Sequence, residues 1–490
     1  MKNNLFNTFH TYLITFQYLI KKLRENEKGR KEQHDYNIIT SEIEKVRFLV
    51  KKAESKKEFE DLIGATKHEF SDYDERKNNK QPIRIAIHNF FRNSGCYLEI
   101  FNGKNLNYKK LFHSYWEEFQ SQNYKTKLFA MMEYIDFSEK LIEFNSFQIR
   151  KFSIDEIITI LRNEINEIFY PRCYYDTKEL NILKNYWFIY LEAPQSELRL
   201  SRKIHATDVT SVIEKYTEYP KPLESVLKCL TIFDWKQNFN QQVTKLHDFT
   251  FNIPLILQID ESLLASPKMV PNLPFLETFL DEGPIKQELV EKPVVRFCFD
   301  APETTQFKKF INDARNFIVN LKIEDNEWKF LEIAQCYLIK AFFSEGLDQF
   351  MWHITVIEAL LCEDGRGTKK GVTTRIGAIL GEAEEKIFDE LYNLQYDLLH
   401  GNNISKKSYT NHAYIVRKLA VKIICWFLHY LDSIQTSIIQ GKTKKQIPNH
   451  KELLILIDHV DHAHSCKSNF ISLIDSMPKG FPHVPEWIEY

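Results

Sequence analysis

The sequence predicts an α+β protein, with a mixed α+β N-terminal part followed by an all-α helical bundle. Three observations carry this expectation. Glycine (14) and proline (16) are sparse among 490 residues, which favours long helices over many short strands. Alternating apolar runs concentrate between residues 81 and 300. From Glu303 to about Gln440 the apolar spacing is helical throughout. A hydrophobic content of 43% with 14% aromatics can fill real cores, which excludes a disordered chain. At about 150 residues per domain, the length suggests two or three domains.

Residues 1–80 are charge-dense with helical period: Ile43, Val46, Leu49 and Val50 are separated by Glu and Lys. The expectation is a solvated helical extension, closed by a linker from Ser71 to Lys80 that has no apolar period. Residues 81–300 read as a mixed domain. Ile83 to His88 alternates, and Tyr97 to Phe101 follows Asn93-Ser-Gly95, which predicts a pair of strands. Further strands are expected over 128–137, 141–152, 187–191, 249–259 and 294–299. Ser153-Ile-Asp-Glu156 is a capping box, opening a helix through Ile168. Residues 271–289 read as irregular. No phosphate-binding glycine loop and no nucleophile elbow occurs.

Five helices are expected over 301–440: 303–322, 326–344, 346–362, 383–400 and 405–438. Short connections, apart from 363–382, favour antiparallel packing. Residues 441–490 read as a helical tail. The eight cysteines are scattered and form no C-x-x-C pair, as in a reduced, cytoplasmic protein. The most apolar helix, Tyr414 to Ile434, has an uncharged core of only Ile423 to Leu431, well short of the ~20 residues a membrane span needs. No membrane partner is therefore expected. A net charge of −2 does not discriminate among partners.

Titratable groups converge around Leu391-Tyr-Asn-Leu-Gln-Tyr-Asp-Leu-Leu-His400-Gly401. His400 ends a helix before a glycine, with Asp397 one turn behind it. It reads either as a cap over the last carbonyls or as a proton-transfer residue. Gln395 and Glu358 each interrupt an apolar row. A carboxylate on such a row needs a partner. Arg375 is a candidate, as a register-fixing ion pair or as part of a site. Basic stretches flank the His400 helix: Arg366, Lys369, Lys370 and Arg375 before it, Lys406 and Lys407 with six further cations after it. They suit a phosphate backbone or ordinary solvation.

The ordered series His353-Ile-Thr-Val-Ile-Glu-Ala-Leu-Leu361, Lys369-Lys-Gly-Val-Thr-Thr-Arg-Ile-Gly-Ala-Ile-Leu380 and Leu391 to Gly401 resembles the Apea-like branch of the HEPN superfamily. The resemblance covers about 300–435, is looser over 140–300 and does not reach 1–80. It implies an all-α HEPN-type bundle that dimerises, bringing Arg-x-x-x-x-His pairs from two subunits into a shared cleft. It further implies metal-independent endoribonuclease activity without a cofactor, often in toxins or anti-phage effectors answering a phage or cellular trigger. RNA and a second copy are the implied partners.

On this reading His400 is general base or acid and Asp397 orients it. Arg375 and Gln395 contact phosphate, and Glu358 holds Arg375. Lys369, Lys370, Lys406 and Lys407 contact RNA, and residues 81–300 sense the trigger or position RNA. The sequence departs from the family where Gln395 replaces the motif arginine, which leaves either an enzyme with a substitute cation or a module for RNA binding or dimerisation. A second cluster, Asp458-His459-Val-Asp461-His462-Ala-His464-Ser-Cys466, carries zinc-ligand types, but reads as a polar helix end for want of a second ligand pair.

Overall fold

The computed structural model describes residues 2–31, 41–73, 82–121, 125–194, 219–233, 235, 250–267, 278–279, 292–293, 295–320, 328–362, 368–400, 406–439 and 448–458. Among them the chain runs α1 (Lys2–Lys31), α2 (Glu42–Glu54), α3 (Lys57–Glu69), α4 (Ile83–Asn93), α5 (Cys96–Phe101), α6 (Tyr108–Gln120), β1 (Lys125–Met132), β2 (Tyr134–Phe137), β3 (Leu141–Glu143) and β4 (Phe147–Arg150). Next come α7 (Ile154–Leu161), α8 (Asn163–Phe169), α9 (Thr177–Leu183), β5 (Trp187–Pro194), α10 (Lys221–Leu230), β6 (Ile256–Asp260), β7 (Thr278–Phe279), β8 (Lys292–Pro293) and β9 (Val295–Phe299). The last are α11 (Ala301–Asn320), α12 (Lys329–Phe342), α13 (Gly346–Leu361), α14 (Lys369–Leu380), α15 (Glu382–Leu399), α16 (Lys406–Ile439) and α17 (His450–Asp458). The fold is mixed α+β, mostly helical, with little sheet.

The chain divides into two interleaved units: residues 1–130, 151–199 and 255–276, and residues 131–150, 200–254 and 277–490. The boundaries expected at 80 and 300 are thus not where the chain divides. In the first unit, α1 buries Leu5, Phe9, Tyr12, Phe16 and Leu19 along one stripe, at helical spacing. They share a core with Phe59, Phe90, Phe91, Tyr97 and Tyr115. The Tyr12 and Tyr97 hydroxyls meet at 2.5 Å inside it. The expected solvated extension is therefore half of an aromatic core.

The strands expected at 83–88 and 97–101 are helices α4 and α5. Ile83, Ala86, Ile87, Phe90 and Phe91 are buried while Ile85 is 42% exposed. That is a 3.6-residue period, which a six-residue window cannot tell from alternation. β5, β1 and β6 lie side by side, with β1 antiparallel to β6. The capping box at Ser153 is present, Ser153 N–H donating to Glu156 at 2.8 Å. The helix expected to continue to Ile168 breaks at Arg162, which takes a left-handed conformation (φ 51°) and separates α7 from α8. Ser153→Ala is expected to cost about 1 kcal/mol. The loss should show as faster amide exchange in the first turn of α7, and unchanged protection would mean that the cap is dispensable.

In the second unit β2 pairs with β9 in parallel and β3 with β4 as a hairpin. Beside the short antiparallel pair β7–β8, the other described elements are helices around one apolar core, centred on Ile354, Ile357, Leu360, Ile376, Phe388, Leu391, Ile423 and Phe427. Within the expected connection 363–382 a sixth helix forms, α14. It turns directly into α15 at Gly381, whose φ of 116° favours glycine. At Gly377 a β-carbon would strike the Glu385 side chain, so glycine lets the two helices lie flush. α17 joins the same core through Leu453, Leu454 and Ile457, and is no loose tail. No helix among the described residues is long and apolar enough to cross a membrane. Residues 271–277 and 280–289 of the expected irregular stretch lie outside the described residues.

Candidate functional site

α15 positions the site. Glu382, Glu384 and Glu385 occupy its first turn, where the helix dipole favours anions, and Lys422 of α16 pairs with Glu384 at 2.9 Å. Phe388 and Leu391 anchor its inner face in the core. Its last residue leads into His400, which is exposed. The His400 N–H donates to the Tyr396 carbonyl at 3.0 Å. The imidazole stands 4.1 Å from the Tyr396 ring, centroid to centroid, at 49°. Asp397, half-buried, lies between them along the helix.

The other expected site residues separate. Gln395 is 9% exposed and on the core side of α15. Glu358 takes a hydrogen bond from the Tyr392 hydroxyl. Burial raises its carboxyl above the usual range, and the tyrosine partly offsets this. Burial, then the Glu358 charge, raises the Tyr392 hydroxyl in turn. Arg375 is a bidentate partner of Asp458 on α17, with both nitrogen–oxygen distances 2.7 Å, and also donates to the Leu361 carbonyl at the end of α13. Arg375 is thus held by Asp458 and the Leu361 carbonyl, while Glu358 lies beside Tyr392.

Level along the α14–α15 hairpin gives the same answer. Lys369 reaches Asn393, and Gly377 faces Glu385. Arg375 thus stands level with the 385–389 stretch. His400 lies about 20 Å further along the axis at 1.5 Å per residue. An arginine so placed and so held ties α13, α14 and α17 together. It does not join the histidine.

Upstream of His400, the Lys369 ammonium meets Asp389 at 2.6 Å and Asn393 at 2.7 Å, while Arg366 lies outside the described residues. Lys370 beside it is exposed. Between α14 and α15 runs an open groove of about 760 Å³. Its walls set Lys369, Lys370 and Lys386 against Glu382, Glu385, Asp389 and Glu390. The upstream basic stretch is therefore largely countered by α15, which the linear sequence did not suggest. The Lys406 and Lys407 side chains, Gly401, and residues 459–466 of the second cluster lie outside the described residues. Asp458, its first member, is the partner of Arg375.

Asn393, Tyr396, Asp397 and His400 fall within about 100° of one another around α15 at 100° per residue, with Lys369 bonded to the first. This exposed face was missed in sequence, although a helical wheel drawn from Asn393 onward contains it. The chain matches no family model, no curated protein and no solved structure.

Proposed function

We propose that the helices of residues 301–458 are a HEPN-type module that acts on RNA as a dimer, and that it is a metal-independent endoribonuclease of the toxin or anti-phage kind. The observation supporting this most is the placement of His400. It is an exposed imidazole at a helix end, on a face shared with Asp397 and a lysine-anchored Asn393. The ordered resemblance of three helices to the family adds to it. RNA brings its own nucleophile. Neutral His400 takes the proton of the 2′-OH as that oxygen bonds to phosphorus, and the 5′-oxygen leaves with its bonding pair and takes a proton from water. The products are a 2′,3′-cyclic phosphate and a 5′-hydroxyl.

A second reading, an RNA-binding or dimerisation module without catalysis, is favoured by Gln395 in the core and Arg375 bound to Asp458. Neither offers its charge or amide to a phosphate beside His400. Cleavage of labelled single-stranded RNA in EDTA, by the full chain and by His400→Ala, decides between them. The enzyme reading expects cleavage that drops 100-fold or more in the variant. RNA binding without cleavage by the wild type leaves the second reading, and equal cleavage by the two proteins overturns the role given to His400.

A further inference from the structure

We propose that Tyr396 is a nucleobase-stacking residue, holding an unpaired RNA base on α15 beside His400. This deepens the reading of that face as RNA-directed and rests on it.

The anomaly is exposure. Tyr396 is 60% exposed and Leu399 62%. Neither supports the core that Phe388 and Leu391 of the same helix fill. Large apolar side chains left so open in a cluster mark a contact surface. Tyr396, Leu399 and His400 fall within about 100° of one another around the helix, so they form one patch. The tyrosine ring and the imidazole lie 4.1 Å apart, tilted at 49°, so the two rings share one corner of the patch. Lys369, one turn back, is bonded to Asn393 and paired with Asp389, so the patch itself is aromatic and apolar rather than charged.

An exposed aromatic face beside an apolar wall is what a flat heterocycle requires. Such a face accepts any base, because every base has a π-surface. It cannot act on a paired base, whose faces are covered by its neighbours in the stack. The inference thus adds a preference for single strands over duplex, and places the base next to the group assigned to proton transfer. A second copy of the chain seated on the same patch is the competing occupant.

The test uses the full-length protein and a fluorescent single-stranded RNA with 2′-O-methyl riboses, which cannot be cleaved through the 2′-oxygen. Binding is read by anisotropy for wild type, Tyr396→Phe and Tyr396→Ala. A duplex of the same sequence is run in parallel, and oligomeric state is read by sedimentation. Expected are equal affinity for wild type and Tyr396→Phe, and a roughly ten- to hundredfold loss for Tyr396→Ala on the single strand alone. Sedimentation should be unchanged. Wild-type affinity in Tyr396→Ala overturns the assignment, and so does a loss accompanied by altered oligomeric state, which gives the patch to the second copy. Failure of every form to bind either RNA overturns the RNA reading itself, and is distinct from both.

Discussion

Replacing Arg375 with methionine is expected to destabilise the second unit by about 2–3 kcal/mol, even though this residue lies far from His400. The side chain is 17% exposed, and its guanidinium satisfies two groups at once. One is the Leu361 carbonyl, at a helix end where no further intrahelical donor exists. The other is the Asp458 carboxylate, 44% exposed, which water can solvate if abandoned. The carbonyl is therefore the larger loss, and the carboxylate alone contributes at the modest level of a partly exposed pair. Asp458→Asn should accordingly cost less than 1 kcal/mol. Hydrogen exchange reads both locally: Arg375→Met should deprotect α14 and α17 together. If the two variants lost the same protection, the carbonyl would have no special weight.

The second large effect is acid sensitivity from His353. This imidazole is fully buried on α13, and its Nδ1–H donates to the Gln349 carbonyl at 2.8 Å, which leaves Nε2 as a bare acceptor without a partner. Burial, then the positive charge of Arg417, pushes its pKa from 6.5 down to about 3. Above pH 6.5 neither the folded nor the unfolded state carries the proton. Below it the unfolded chain takes one and the folded bundle does not, so stability falls with pH by up to roughly 1.4 kcal/mol per unit. The fall continues until the folded pKa near 3 is reached, a total of about 4–5 kcal/mol. His353→Leu removes this contribution, and at neutral pH should be close to neutral, since it also removes an orphaned buried nitrogen. Denaturant midpoints of the two proteins should therefore diverge between pH 6.5 and 4, the variant becoming the more acid-resistant. A constant offset across that range would contradict the assignment.

Long helices were legible because their apolar stripes repeat over several turns, as in α12, α13, α15 and α16. So was the Ser153 cap, a local signal of four residues. α4 failed because Ile83, Ile85 and Ile87 alternate by coincidence within a true helical stripe. α14 was not among the five helices counted from apolar spacing, because its apolar residues, Val372, Ile376 and Ile379, are interrupted by glycine and threonine. In the candidate site, His400 and the helix that ends at it could be read in advance. The partners could not: Arg375 and Asp458 are 83 positions apart, and nothing in spacing alone marks Tyr392 as the group that Glu358 meets. Gln395 is the instructive case. Its place in the motif suggested a phosphate contact, whereas burial turns it inward. Gln395→Arg would accordingly put an unpaired charge into the core before it could repair any site.

α17 has a temporal meaning. It is made after every other described element, yet Leu453, Leu454 and Ile457 complete the core, and the Trp328 indole donates to the Pro448 carbonyl at 2.9 Å. Arg375 gains its carboxylate partner only when Asp458 has emerged. A nascent chain still on the ribosome therefore holds an unfinished bundle, with the α15 face on a scaffold not yet closed. Among the described residues, the bundle core is thus closed by the element made last.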